Sequence, residues 1–338
     1  MQEEIYQDII IQLKINLDLD FDSYQEIPAG INNKLFRINT KQKKVFFCKV
    51  YYRDDRERLQ REFDAIQFLA DKQFQNIPKG YFKNQTLHYA LYSYEEGITK
   101  TPDHITKSDI ETMARFVAKL HSIHADEIKT TFLPAVLACF SLQDYIDNSI
   151  VRLDKFIAYS TSPSVHEKIA SFTKQIDVQQ IILQLLHQST KTISPETLKK
   201  PLTREERRLS PVDFGPHNML FKKDGSITFV DFEYFGWDDP IRLVADFVNH
   251  DQSITLSPEN KAHFIHIYKE TVALPAFVLN RLDVITNLIA IEWLTIFLQS
   301  ITPEAIKIRQ FANKDFNTDT YIETQLQKFT QRLADLIV

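Results

Sequence analysis

One stretch of the sequence decides the fold: Leu209-Ser-Pro-Val-Asp213-Phe-Gly-Pro-His-Asn218-Met-Leu-Phe-Lys-Lys-Asp-Gly225-Ser-Ile-Thr-Phe-Val-Asp231-Phe-Glu233. Asp224-Gly225 lies between two apolar runs, which predicts a β-hairpin with a two-residue type I′ turn. In that register Asn218 lies opposite Asp231, and directly opposed residues have Cβ atoms about 4.5–5.5 Å apart. A loop of three or four residues would shift the register by one and separate the two side chains.

Three side chains of this stretch suit metal-assisted proton transfer. An amide oxygen and a carboxylate at hairpin separation can bind one Mg²⁺ ion, so Asn218 and Asp231 are predicted metal ligands. Asp213 precedes Asn218 by five residues in a loop that Pro211 and Pro216 keep irregular. A carboxylate beside a metal-bound phosphate can orient a hydroxyl and accept its proton. Taken singly, each residue could cap a turn or end a strand; their spacing favours a site.

The first hundred residues have a strand-like pattern with one helix in the middle. Short apolar runs near 24–27, 35–38, 45–52, 80–83 and 87–94 predict a five-stranded antiparallel sheet, and the spacing over 54–70 predicts a helix. Lys49 lies inside the third strand, and Glu62 lies at the edge of the helix's apolar stripe. A lysine in a half-buried strand is costly unless a carboxylate and an anion bind it. The alternative is an edge-strand lysine that reaches water.

The remainder of the chain has long helical patterns, broken around 210–236 by the strand–turn–strand unit. We therefore expect an α+β fold with two domains: a small amino-terminal domain, 1–97, and a larger, mainly helical domain, 98–338. Amphipathic spacing predicts helices over 107–124, 141–158, 165–190, 257–271, 279–300 and 318–337.

Charge and cysteine content exclude several classes of function. Lys and Arg total 40 and Asp and Glu total 45, so the net charge of −5 disfavours binding to nucleic acid or to an anionic membrane. Cys48 and Cys139 are too few for a disulfide framework or a four-cysteine zinc site, so we expect a cytoplasmic protein. The first residues do not resemble a signal peptide. The apolar segment 286–300 contains Glu292 and favours a buried core helix over a membrane span.

The spacing Asp213-x-x-x-x-Asn218, followed by Asp231-Phe-Glu after the next strand, resembles the aminoglycoside phosphotransferase and choline kinase-like branch of the protein-kinase fold. The resemblance covers nearly the whole chain and implies a two-lobed, kinase-like fold. It also implies that Asp213 is the catalytic base and that Asn218 and Asp231 hold Mg²⁺. The sequence has Pro211-Val-Asp213 where this family has His-Gly-Asp.

The same resemblance implies an ATP site in the amino-terminal lobe. Lys49 and Glu62 are similar to the family's ion pair, in which the lysine contacts the α- and β-phosphates. Gly30 resembles part of the loop over the phosphates. The segment Ser93, Tyr94 and Glu95 resembles the hinge whose backbone meets adenine.

The predicted activity is transfer of the γ-phosphoryl group of ATP to a hydroxyl of a small molecule: a sugar, an amino sugar or a choline-like alcohol. Two alternatives stay open: a catalytically weak or inactive nucleotide-binding protein that acts through a partner, and nucleotidyl transfer. His121-x-x-His124 and His263-x-x-His266 have the spacing of zinc ligands, but no third ligand lies at a telling distance in the sequence. The oligomeric state is not encoded in any of these patterns.

Overall fold

The computed structural model describes residues 2–27 and 32–337. Gly30, predicted to lie over the phosphates, is outside the described residues. The strands, in chain order, are β1 Phe21–Ile27, β2 Lys34–Thr40, β3 Val45–Val50, β4 Gly80–Asn84, β5 Tyr89–Ser93, β6 Arg208–Ser210, β7 Met219–Phe221, β8 Ile227–Phe229 and β9 Gly236–Asp238. The helices are α1 Glu3–Leu17, α2 Arg58–Asp71, α3 Lys107–His121, α4 Leu142–Ser160, α5 Glu167–Gln175, α6 Val178–Thr190, α7 Pro195–Lys199, α8 Pro240–Asn249, α9 Pro258–Thr271, α10 Ala276–Leu279, α11 Leu282–Gln299, α12 Pro303–Ala312 and α13 Thr318–Ile337.

The chain divides into two compact units. Unit 1 contains Met1–Lys100, Pro216–Phe235 and Ile308–Phe316; unit 2 contains Thr101–Gly215, Gly236–Lys307 and Asn317–Val338. Unit 1 thus takes in the β7–β8 hairpin as well as the first hundred residues. The predicted division into 1–97 and 98–338 stays a prediction.

Unit 1 is built on the antiparallel sheet β1-β2-β3-β5-β4, which confirms the predicted five strands. Successive side chains of a strand point to opposite faces. Phe46 and Cys48 of β3 therefore pack into a core with Ile5 and Ile9 of α1, while Lys49 points to the other face. The helix α1 was not predicted, although its buried residues recur at helical spacing.

Unit 2 is mainly helical, as predicted, and α11 forms its centre. This helix packs against α4, α6, α8 and α13. The predicted helix 165–190 is in fact two helices, because Asp177 caps α6 by accepting the Gln180 N–H at 3.0 Å. The span Ala276–Gln299 is apolar and long enough to cross a membrane, but 67% of its apolar 18-residue stretch is buried inside the structure, as in a core helix. The helices α8 and α12 were not predicted.

Candidate active site

Lys49 is the centre of a buried charge cluster in unit 1. Its ammonium donates to Glu62 Oε2 and to Asp231 Oδ1, both at 2.7 Å, and lies 3.4 Å from Glu233 Oε2. The lysine side chain is only 4% exposed. A buried ammonium is stable only where carboxylates surround it in this way, so the burial of Lys49 is explained by its partners.

Two tyrosines fix the carboxylate of Glu62. The Tyr51 hydroxyl donates to Glu62 Oε2 at 2.8 Å and lies 2.7 Å from the Tyr92 hydroxyl. Burial raises the pKa of both phenols well above the ordinary value, so both remain neutral hydrogen-bonding groups. Glu62 Oε2 therefore accepts from an ammonium and a hydroxyl at once, which keeps the ion pair with Lys49 in one geometry.

Glu233 and Arg58 also belong to this cluster, although neither was predicted from the sequence. Glu233 accepts a hydrogen bond from the Arg58 guanidinium and another from Asn33 Nδ2 at 2.6 Å. Burial alone would raise the pKa of Glu233, but Lys49, Arg58 and Asn33 together lower it, so this carboxylate is ionised. The one available signal was its place two residues after Asp231; the partner Arg58 lies 175 positions earlier.

Asp231 differs from its two neighbours because its carboxylate is 32% exposed. The pKa of Asp231 is raised to about 7. Burial is the largest cause and the carboxylates of Glu233 and Glu62 add to it, whereas Lys49 opposes the rise. The backbone of Asp231 has φ 67°, in the left-handed region, so the chain leaves the strand ladder at this residue. Its side-chain direction is therefore set by this turn and not by the alternation of the hairpin.

The carboxylates of Glu62, Asp231 and Glu233 each offer an oxygen within 4.8 Å of the others. Against the two cations Lys49 and Arg58, these three anions leave an excess of one negative charge. Carboxylate oxygens with excess negative charge are what a hard divalent cation binds. The three carboxylates therefore fit Mg²⁺, and Asp231, which is about a third exposed, is the accessible one.

The predicted hairpin register is wrong by one residue. Met219 pairs with Phe229 and Phe221 with Ile227, and the Val230 N–H donates to the Asn218 carbonyl at 3.0 Å. Asn218 thus lies opposite Val230, not opposite Asp231.

The cause of this shift is the loop, which has three residues between Lys222 and Ser226 instead of two. A type I turn is closed by the Gly225 N–H on the Lys222 carbonyl at 3.1 Å, and Gly225 follows at φ 84°. An Asp-Gly pair fits this loop as well as the two-residue turn. Asn218 is buried and remains in unit 1 with Asp231.

The predicted hinge, 93–95, lies in unit 1, and the side chains of its three residues contact neighbouring segments of that unit. Ser93 Oγ accepts the Lys79 N–H at 2.8 Å and donates to Glu95 Oε1 at 2.7 Å. The Tyr94 ring packs under the Arg37 guanidinium, 5.0 Å from the ring centroid. Glu95 also binds Lys222 of the hairpin at 2.9 Å.

Gly97 is required just after this hinge. The amide and carbonyl groups of Ile98 and Phe221 exchange two hydrogen bonds, which draw the two backbones together. A Cβ at position 97 would lie 2.8 Å from Leu220 Cβ. The close approach of hinge and hairpin therefore depends on a residue without a side chain.

Asp213 belongs to unit 2 and lies in a tight turn after β6. Its N–H donates to the Pro211 carbonyl at 2.9 Å around Val212, whose φ is 67°. The Val212 N–H donates to Ser210 Oγ at 3.1 Å. The carboxylate of Asp213 is 31% exposed and lies 3.1 Å from His250 Nε2. The turn thus presents this carboxylate to His250, the residue that directly follows α8.

Strand β9 connects this turn to a buried ion network in unit 2. Its residues pair with β6, immediately before the Asp213 turn. Asp238, the last residue of β9, accepts the Cys139 N–H at 2.8 Å and binds Arg242 at 3.1 Å. Asp239 accepts the Tyr145 hydroxyl at 3.0 Å. Burial raises the pKa of both carboxyls, to about 6 for Asp238.

The two histidine pairs do not form metal clusters with other ligands among residues 2–27 and 32–337. His121 is buried, its Nδ1 lies 2.8 Å from the Tyr268 hydroxyl, and burial lowers its pKa to about 3. His263 lies 2.9 Å from Glu111. Both histidines act in helix packing.

Comparison with known proteins gives one family match and several similar structures. The model of a phosphotransferase enzyme family (APH) matches residues 23–273. The Plasmodium vivax ethanolamine kinase is 17% identical, with a TM-score of 0.62 over 98% of this chain and 91% of that one.

Two further structures are similar over nearly their whole length. A spectinomycin phosphotransferase in complex with ADP and spectinomycin is 14% identical, with a TM-score of 0.62 over 96% of this chain and 98% of that one. The choline kinase LicA from Streptococcus pneumoniae is 17% identical, with a TM-score of 0.57 over 98% and 99%. No curated protein matches the sequence. At these identities the structures show a common kinase-like fold.

Proposed function

Because the chain belongs to the phosphotransferase enzyme family, we propose that it transfers the γ-phosphoryl group of ATP to a hydroxyl of a small molecule. The observation that carries this proposal is the cluster around Lys49. One ammonium, held by three carboxylates with an excess of negative charge, suits a site that receives a phosphate and a divalent cation together.

Lys49 is proposed to bind the α- and β-phosphates of ATP. Glu62 keeps the ammonium in place, because Tyr51 holds the same carboxylate from the other side. Asp231 is the more accessible partner of Lys49. Phosphate oxygens of a bound nucleotide could therefore replace Asp231 at the ammonium, which would leave the Asp231 carboxylate available to hold Mg²⁺.

Asp231 and Asn218 are the proposed Mg²⁺ ligands, and Glu233 is the added candidate from the structure. Mg²⁺, when bound, neutralises the negative charge that develops on the transferred phosphoryl group. Arg58 and Asn33 both donate hydrogen bonds to the Glu233 carboxylate. Glu233 is therefore proposed to contribute negative charge to the site more than direct coordination of the ion.

Asp213 is the proposed catalytic base, which orients the acceptor hydroxyl and accepts its proton. Its partly exposed carboxylate on a tight turn supports this role. The backbone of Ser93, Tyr94 and Glu95 is proposed to meet adenine, and Gly30 to lie over the phosphates. The proposed acceptor is a sugar, an amino sugar or a choline-like alcohol. The buried free thiols of Cys48 and Cys139 suit the reducing cytoplasm, where we place the reaction.

The test is a phosphorylation screen of hydroxylated metabolites with ATP and Mg²⁺, read by ADP release and product mass. We expect one acceptor class to gain the mass of a phosphoryl group. Asp213→Asn should lower kcat by about 100- to 10,000-fold, because the base is lost while its shape remains. Asp224→Asn, in the exposed hairpin loop, is the matched control and should keep full activity.

Three results would contradict the proposal. Binding of Mg-ATP with no turnover on any acceptor would favour a non-catalytic nucleotide-binding protein. A product heavier by a nucleotidyl group would show the other transfer reaction. Full activity in a folded Asp213→Asn protein would remove the proposed base.

A further inference from the structure

We infer that His250 is a positioning residue for Asp213, one that holds the carboxylate of the base in a single orientation as a neutral hydrogen-bond donor. The inference rests on the proposed function, since it concerns the same reaction. Its evidence is the set of contacts around the imidazole, all within unit 2.

The contacts of the ring define its tautomer. The Gln252 N–H donates to His250 Nδ1 at 3.1 Å, so Nδ1 carries a lone pair and not a hydrogen. In the neutral ring the hydrogen is then on Nε2. Nε2 lies 3.1 Å from Asp213 Oδ1, so the imidazole donates to the carboxylate.

The position of the ring is also fixed. His250 follows α8 directly, and its own N–H donates to the Asp246 carbonyl at 2.6 Å. The Trp293 ring packs edge-on against the imidazole, with centroids 4.6 Å apart, and its Nε1–H donates to Asp246 Oδ1 at 2.9 Å. The His250 side chain is 8% exposed. A ring with these constraints on its backbone, its face and Nδ1 can direct Nε2 to one place.

A fixed donor matters because the two hydrogen bonds of the Asp213 turn are made by backbone N–H groups, which do not by themselves orient the carboxylate. Val212 adopts a left-handed φ of 67° that a β-branched residue disfavours, and Pro211 offers no N–H. A neutral donor also orients the carboxylate without placing a positive charge beside it. His250 thus supplies orientation through one hydrogen bond and without a countercharge.

The activity test compares His250→Leu with His250→Gln. The amide nitrogen of glutamine can reach the place of Nε2, whereas leucine has no donor. We expect His250→Leu to lower kcat by up to about 100-fold with an unchanged KM for ATP, since a displaced base slows the chemical step and not nucleotide binding. His250→Gln should recover activity to within a few-fold of the wild type.

The matched control is His263→Gln. His263 also lies 2.9 Å from a carboxylate, that of Glu111, but between α3 and α9. This variant should keep the wild-type kcat. A kcat for His250→Leu equal to that of the wild type, with both proteins folded by circular dichroism, would overturn the inference and leave the proposed function intact.

A second measurement does not depend on turnover. In long-range ¹H–¹⁵N spectra of protein with ¹⁵N-labelled histidine, the signals absent in His250→Gln identify this ring. We expect the neutral tautomer with hydrogen on Nε2, and a shift of its Nε2 signal in Asp213→Ala. The Nδ1–H tautomer, or signals unchanged in Asp213→Ala, would overturn the inference. If the spectra agree but the wild type transfers no phosphoryl group, the proposed function fails and the positioning role fails with it.

Discussion

Replacing Asp231 by asparagine should stabilise the metal-free protein at pH 8 although it damages the proposed metal site. The pKa of Asp231 is raised to about 7 in the folded protein by burial, and the carboxylates of Glu233 and Glu62 add to the effect. Asparagine keeps the shape and an oxygen that can accept from Lys49, but it carries no charge. The substitution therefore removes a repulsion that the wild type tolerates.

The magnitude follows from the two states of the carboxyl group. Its pKa is about 7 when folded and near 3.8 in an unfolded chain, so ionisation at pH 8 disfavours the folded state by up to about 4 kcal/mol. Because about a third of the side chain is in water, solvent screening reduces this to about 2 kcal/mol. Below the pKa of Asp231 in the unfolded chain, the carboxyl group is neutral in both states and the folded protein keeps its full stability. This stability is lost as the pH rises through 7, the pKa of Asp231 in the folded protein. The advantage of Asp231→Asn should therefore grow between pH 4 and 7 and level off above 7.

The assay is urea unfolding with EDTA at pH 5 and pH 8. Asp231→Asn should exceed the wild type in the free energy of unfolding at pH 8, by more than at pH 5, and Mg²⁺ should stabilise the wild type but not the variant. Asp224→Asn is the control, because the Asp224 carboxylate accepts from Ser226 and its pKa is lowered, so that substitution should give no gain. A variant less stable than the wild type at pH 8, or a difference that ignores pH, would refute the argument.

Three further outcomes follow from the structure. Lys49→Met leaves Glu62 and Glu233 buried without their shared ammonium and should reduce the free energy of unfolding by about 3–5 kcal/mol, measured by urea; a loss under 1 kcal/mol would contradict the buried cluster. Gly225→Ala should cost about 1 kcal/mol by the same assay through its φ of 84° alone, since an added Cβ would meet no atom within 4 Å. The buried thiols of Cys48 and Cys139, whose pKa values burial raises, should react with Ellman's reagent only in denaturant; rapid reaction of the native protein would oppose their burial.

The sheet of unit 1 could be predicted because each of its strands is a local pattern. Runs such as Val45–Val50 are β-branched and aromatic, and polar turns separate them. The helix α1 was missed because two isoleucines, Ile11 and Ile15, lie on its exposed face, where an amphipathic helix would have polar residues. Amphipathic spacing identifies a helix only where the exposed face is polar.

The hairpin register could not be predicted, for a reason specific to this hairpin. Register is normally fixed where one face of a strand is buried and the other is in water. All three residues of β8 are buried, as are the two outer residues of β7, so neither register exposes an apolar face. The choice then depended on the loop, where Asp224-Gly225 is compatible with both lengths. The sequence contained the proposed metal ligands, Asn218 and Asp231, but not the register that relates them.

The charge cluster shows which part of a site is local in sequence and which is not. Lys49 was found because it is the one charge inside an apolar strand, and Glu62 because it lies at the edge of the apolar stripe of the next helix. Arg58 and Glu233 break no such pattern, and their pairing joins positions 175 apart. Yet Glu233 adds a third carboxylate beside Lys49, while Arg58 balances its charge, so the excess of one negative charge is kept. The third carboxylate oxygen of the donor set proposed for Mg²⁺ was therefore found in the structure and not in the local sequence pattern.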